Sequence, residues 1–209
     1  MGLTRVRGGG VDNPLTLGGG SASDRSIVFD GNAQDFHIGL DDSTDSLTIG
    51  LGSTLGTTPY MVVDASGHVT KPSNPAFRAF INSSSGDYTT ETTIQYDSEA
   101  HDIGNNFNTS NYRFTAPVDG TYSFSAAHWH KTGTAAETYL RIKVNGSLNS
   151  EFRSTKDQSD SYYHRLYINA ELNLSSGDYI TITGGGQGGG ELHTSSGLTY
   201  SYFAGHLIG

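Results

Sequence analysis

From residue 76 onward the apolar positions of this chain never recur at helical spacing; they come in short runs that alternate with polar residues at period two. Leu140, Ile142 and Val144 share one strand face, against Tyr139, Arg141 and Lys143. Leu166, Ile168, Ala170, Leu172 and Leu174 do the same against Arg165, Tyr167, Asn169 and Glu171. Strands are predicted at 76–82, 92–97, 112–116, 120–130, 138–145, 162–174, 178–183, 191–194 and 199–208. Asp119-Gly120, Asn145-Gly146, Ser176-Gly177-Asp178 and the run Gly184–Gly190 separate several of them. Such a series implies an all-β sandwich.

Residues 24–72 carry a smaller pattern of the same kind. Phe36/Ile38/Leu40 and Leu47/Ile49/Leu51 each alternate, and they flank the acidic turn Asp41-Asp-Ser-Thr-Asp45. A hairpin is predicted there, with Ile27-Val-Phe29 and Met61-Val-Val63 as further short pieces. One apolar face on so few strands does not stand alone in water. Three copies wrapped together would bury it, so 24–72 is read as a trimeric β-hairpin stalk. Lys71-Pro72-Ser-Asn-Pro75 breaks regular structure and marks the boundary with 76–209. Residues 1–23 are rich in glycine and are read either as a docking segment that orders on a partner or as a terminus with no structure of its own.

Strands 120–130 and 199–208 are apolar or aromatic on both faces. Tyr122, Phe124 and Ala126 oppose Trp129, and Tyr200 and Tyr202 oppose Phe203. A strand covered on both sides calls for more than its own core. Trp129, His128, His130, Tyr200, Tyr202 and Phe203 are therefore the expected contacts between subunits.

Composition narrows the picture. Apolar residues make up 34% and charged residues 16%, while glycine reaches 28 and tyrosine 12, which suits a turn-rich β protein with a hydrogen-bonding surface. There is no cysteine, so disulfides and thiolate zinc sites are excluded and burial between subunits is the expected stabiliser. The net charge of −9 carries no basic footprint for nucleic acid. No apolar run is long enough to span a bilayer. The N-terminus lacks the apolar core of a secretory signal, and release inside a virus particle is the expected route out of a cell.

The spacing of aromatic residues then becomes specific. Tyr96, Asp102, Phe107, Phe114, Gly120, Tyr122 and Phe124 stand at the intervals of the C1q/TNF-like signature, which this chain resembles over residues 76–209. Tyr96 replaces the usual Phe, and Ala126 stands where a further aromatic is general. The ending Tyr200-Ser-Tyr-Phe-Ala-Gly-His-Leu-Ile208 is similar to the family's closing strand. The resemblance implies a ten-stranded jelly roll, homotrimeric about a threefold axis, used for recognition rather than catalysis. Residues 24–72 also resemble stalk segments of tail-fibre proteins from marine bacteriophages.

Candidate chemistry is sparse. His128-x-His130 puts two imidazoles on one strand face, which reads more simply as a hydrogen-bonded interface pair than as metal ligands. The acidic turn 41–45 has oxygen ligands of the kind Ca²⁺ takes, but it lacks EF-hand spacing. No metal or other cofactor is expected, with Ca²⁺ there as the alternative. No nucleophile elbow or zinc-protease motif is present, so no catalytic residue is assigned. Contact with a receptor is expected at Gly184, Gly185, Gly186, Gln187, Gly188, Gly189 and Gly190, with Tyr162, Tyr163 and His164 as secondary candidates, because loops on a rigid β scaffold carry binding. The expected role is a virion fibre, extracellular, whose head meets a glycan or protein of a host surface. The alternatives are a structural decoration of capsid or tail without a receptor and, third, a glycan-degrading enzyme.

Overall fold

The computed structural model describes residues 16–83, 86–131, 136–156, 164–188, 191–194, 196–197 and 200–209. Most of the expected docking segment, Tyr162, Tyr163, Gly189 and Gly190 lie outside these. The chain divides into two compact units, Met1–Ser73 and Asn74–Gly209.

The first unit is an antiparallel meander of β1 (Arg25–Phe29), β2 (Phe36–Asp41), β3 (Ser46–Leu51), β4 (Pro59–Val63) and β5 (Val69–Thr70), adjacent in that order. The β2–β3 hairpin forms around the acidic turn. The Asp41 carboxylate accepts from the Ser43 amide at 3.0 Å and from its hydroxyl at 2.6 Å, and Asp45 takes the left-handed conformation at φ 52°. Register places Ile27, Ile38 and Ile49 side by side, and likewise Phe29, Phe36 and Leu51.

The two faces of this sheet are inverted relative to a usual half-buried sheet. The polar face, with His37, Asp41, Ser46 and Thr48, is buried. Segment 52–58 folds back over it: Thr58 accepts from the Leu51 amide, Leu55 is buried, and a Cβ at Gly56 would meet the Asp41 carboxylate at 2.7 Å. The apolar face is open. Phe29 is 60% exposed, Leu40 and Leu47 46%, and Phe36 43%.

The second unit is a sandwich. One sheet runs β10 (Phe107–Asn108), β11 (Arg113–Thr115), β16 (Tyr179–Gln187), β13 (Ala136–Val144), β14 (Ser147–Lys156), with β8 (Thr92–Thr93) beside β16. The other runs β7 (Gly86–Tyr88), β17 (Glu191–Thr194), β12 (Gly120–Lys131), β18 (Tyr202–Leu207), β6 (Ala76–Phe80), β9 (Ser98–Ile103), with β15 (His164–Leu174) along the other side of β12. Among the described residues the two sheets hold six and seven strands, so the expected jelly roll forms with thirteen strands rather than ten. β9 and β14 fall where no strand was predicted. Both are edge strands with a largely exposed, polar sequence, so alternation does not mark them.

Every position of the aromatic signature has a physical task. Phe114 stacks on Phe77 at 4.9 Å, Phe77 on Phe107 at 5.1 Å, and Phe203 meets Phe77 edge-on at 4.8 Å. Tyr96, Tyr122, Phe124 and Phe114 are at most 1% exposed. The Tyr122 hydroxyl donates to the Val118 carbonyl at 2.8 Å, which satisfies its polar tip. A Cβ at Gly120 would come within 2.7 Å of the Leu207 side chain and 3.2 Å of the Gly209 carbonyl, so a larger residue there would push against the closing strand. Asp102 accepts from the amides of Asn106 at 3.1 Å and Phe107 at 2.9 Å, which pins the left-handed turn at Gly104 and Asn105. Asp102→Ala removes the acceptor for both amides. It should cost about 2 kcal/mol in chemical denaturation, the scale of hydrogen bonds to a charged group; an unchanged midpoint would show that water replaces the carboxylate.

Candidate functional site

β12 presents alternate residues to the two sides of its sheet, and register decides which side each neighbour joins. Ala126 pairs with Phe203 and Ile168, Phe124 with Gly205 and Ala170, all toward the core. Trp129 pairs with Arg165 and Ala127 with Tyr167 and Tyr202, all away from it. On this outer face the Arg165 guanidinium lies 5.0 Å from the Trp129 ring and 5.6 Å from that of Tyr167. Tyr200 tilts against Trp129 at 6.4 Å and its carbonyl accepts from Arg165. Arg78 covers Tyr202 at 4.6 Å. Tyr167 is 50% exposed and Tyr200 48%. The result is an open aromatic and guanidinium surface at one side of the sandwich.

Two of the expected interface residues are elsewhere. Phe203 is fully buried among Phe77, Tyr96, Phe107 and Phe124. Its strand is apolar on both sides because one side is the core of the unit itself. His128 is also fully buried, and its Nε2 lies 2.6 Å from the Tyr96 hydroxyl, so it is no surface pair with His130. Burial, with the Arg165 charge adding to it, pushes His128 down to about 3, and its Nδ1 has no hydrogen-bond partner. Burial raises the Tyr96 hydroxyl well above its ordinary range. The pair is a neutral polar contact inside an aromatic core. Trp129, Tyr200 and Tyr202 lie on the outer side of the sheet.

The glycine run is also placed differently from the expected loop. Gly184, Gly185 and Gly186 are buried interior residues of β16, paired with Leu140, Tyr139 and Thr138. At Gly184 and Gly185 other groups press on the backbone. A Cβ at Gly185 would meet the Thr90 carbonyl at 2.5 Å, and one at Gly184 would collide with Leu192. The strand runs through Gln187, and the turn begins only at Gly188, at φ 66°. His164 opens β15 opposite His130.

Where segment 89–91 crosses β16, a cleft of about 340 Å³ forms against the outer face of the β16–β13–β14 sheet, lined by Thr89, Glu91, Tyr139, Arg153, Gly186 and Gln187 among others. Tyr139 is stacked by Arg141 at 4.2 Å and by Arg153 at 5.2 Å. Around it runs an alternating chain of charges. Arg153 donates to Glu137 at 2.9 Å and to Glu151 at 2.5 Å, Arg141 to Glu151 and to Glu91 at 2.5 Å each, and Lys143 to Glu91 at 2.7 Å. Glu91 also accepts from Thr183 at 3.0 Å. The Lys143 ammonium holds Glu91 below the ordinary carboxylate range against the opposing effect of burial, and Arg153 does the same for Glu151. Half-exposed pairs of this kind add little stability each; what they fix is side-chain direction. Sequence reasoning missed this cleft because Glu151 and Arg153 sit on the unpredicted strand β14.

Among the described residues no group of three or more His, Asp or Glu converges as metal ligands would. The acidic turn 41–45 directs the Asp41 carboxylate to Ser43.

The C1q domain profile matches residues 76–208. Among solved structures, the globular domain of zebrafish complement 1qA protein is similar with a TM-score of 0.50 and 22% identity, over 65% of this chain and 98% of that one. The Eiger TNF of S. frugiperda is similar with a TM-score of 0.53 and 10% identity, over 65% of this chain and 93% of that one. At these identities the likeness is one of fold.

Proposed function

This chain belongs to the C1q domain family, and from that premise we propose that it is the homotrimeric tip of a virion fibre, with residues 1–23 docking on the particle, 24–72 projecting and 76–209 meeting a host surface. The domain is of a kind typically trimeric and engaged in binding. The observation that carries the reading is the open apolar face of β1–β4, on which Ile27, Phe29, Phe36, Leu40, Leu47 and Ile49 are 39–60% exposed. A face of that size on an otherwise polar chain asks for cover. Two further copies of itself supply it without any other partner. The outer face bearing Trp129, Tyr167, Tyr200 and Tyr202 is the matching surface on the head.

The virion setting is supported by the resemblance of 24–72 to phage fibre stalks. Recognition rather than catalysis is supported by the family. Threefold repetition would raise weak affinity per head through avidity. The full chain should sediment as a trimer, and the labelled trimer should be retained by a subset of strains in a panel of bacterial cells. A monodisperse monomer would sink the assembly. A trimer that no strain retains would favour the decoration of capsid or tail, and reducing ends released from host polysaccharide would favour the hydrolase.

A further inference from the structure

The cleft between segment 89–91 and the β16–β13–β14 sheet is charge-balanced, and the geometry points to it as a binding site for a neutral, hydroxyl-rich ligand, a single uncharged sugar residue; this rests on the recognition reading above. Three cations, Arg141, Lys143 and Arg153, meet three carboxylates, Glu91, Glu137 and Glu151, in one connected chain; Arg141, Arg153 and Glu91 line the cleft and the other three stand behind them and balance the charge. Every guanidinium there already holds a carboxylate. An anionic ligand approaching Arg153 therefore meets Glu137 and Glu151, and a cationic one approaching either carboxylate meets the arginine. A hydroxyl both donates and accepts, so it matches a wall that sets the Glu91 carboxylate beside the N–H groups of Arg141 and Arg153.

The wall is held in place before any ligand arrives. Arg153 is fixed by Glu137 at 2.9 Å, by Glu151, and by a long contact of 3.4 Å to the side-chain amide oxygen of Gln187. The opposite lip is fixed because the Thr90 carbonyl lies against Gly185, where a Cβ would stand 2.5 Å from it. Fixed groups lose little entropy on binding. Gly186 and the edge of Tyr139 line the cleft, and the exposed Thr89, Thr90 and Gln187 add polar groups at its rim. At about 340 Å³ the cleft sits at the small end of ligand sites, which suits one sugar ring and excludes a folded polypeptide. The expected receptor-contact run thus contributes through Gly186 and Gln187, its strand end, rather than as a free loop.

The test is saturation-transfer NMR on the full chain with glucose, galactose, mannose and N-acetylglucosamine, and with glucuronate as the anionic counterpart. At least one neutral sugar should bind, more tightly than glucuronate. Thr89→Trp, which plugs the mouth from an exposed position, should weaken it by about tenfold or more, and Gln187→Ala, also exposed, should weaken it measurably. Tighter binding of glucuronate, or neutral-sugar binding indifferent to both variants, would overturn the assignment. If none of the sugars binds while the chain still adheres to cells, this site is wrong and host recognition stands. If a sugar binds at the cleft but no cell retains the chain, the site stands and host recognition fails.

Discussion

Phe203→Asp should leave no folded head, while Trp129→Asp, on the same sheet, should leave a folded one that no longer assembles. The two residues differ only in which side of the sheet they face. Phe203 is fully buried and touches four aromatic rings. Truncating such a side chain to alanine costs about 3–5 kcal/mol, and a carboxylate in its place adds the penalty of an unpaired buried charge. Against a total stability of about 5–15 kcal/mol, the aspartate variant should be unfolded or insoluble. Trp129 is half-buried on the outer face beside Arg165 and Tyr200. Its loss forfeits a cation–π contact of about 1 kcal/mol within the chain, which a domain of this size tolerates. Circular dichroism and sedimentation together separate the outcomes. A folded Phe203→Asp chain would contradict the core placement, and a trimeric Trp129→Asp chain would remove the outer face from assembly.

The head should lose stability in acid well before its carboxylates protonate. His128 titrates in the folded chain at about 3, against about 6.5 when exposed. The unfolded chain therefore binds a proton below pH 6.5 that the folded chain refuses. The stability contributed by the neutral ring is complete above pH 6.5 and drains as the pH falls toward 3, at about 1.4 kcal/mol per pH unit. By pH 3 the loss approaches about 5 kcal/mol, an order-of-magnitude figure for a fully buried group. Between pH 6.5 and 4.5 few carboxylates change charge, so the slope there belongs to histidine. His128→Gln keeps a polar group opposite Tyr96 and removes the titration. Urea midpoints measured across this window should fall with acid in the parent chain and flatten in the variant. Equal slopes would mean that the ring takes up its proton without opening the core.

The jelly roll was legible because its core residues announce themselves by interval. Phe107, Phe114, Tyr122 and Phe124 stand at spacings set by strand length and turn size, and the structure puts all of them in one stack of rings. The same alternation that located β12 and β18 did not say which of two apolar faces was the inside. Phe203 and Trp129 could be sorted only by register with Ala126 and Arg165. Glycine misled for a different reason. It is the strongest turn signal in a sequence, but at Gly184 and Gly185 it answers to the close passage of Leu192, across the following turn, and of Thr90, far away along the chain. The cleft was invisible because it depends on the pairing of Tyr139 with Arg153 across a strand whose polar sequence carries no periodic mark.

The inverted sheet of the first unit has a kinetic consequence. A newly made chain displays Phe29, Phe36, Leu40 and Leu47 to solvent from the moment this sheet closes, because segment 52–58 has already taken the other side. The pairing between its five strands is then complete, yet its apolar face stays open. Copies that meet early bury it productively, and copies diluted or delayed expose it to whatever else is sticky. Yield of the native chain should therefore depend on local synthesis rate, with polysome neighbours as the natural source of partners. The thermal midpoint of this unit should climb with protein concentration, as mass action requires of any fold completed only by association.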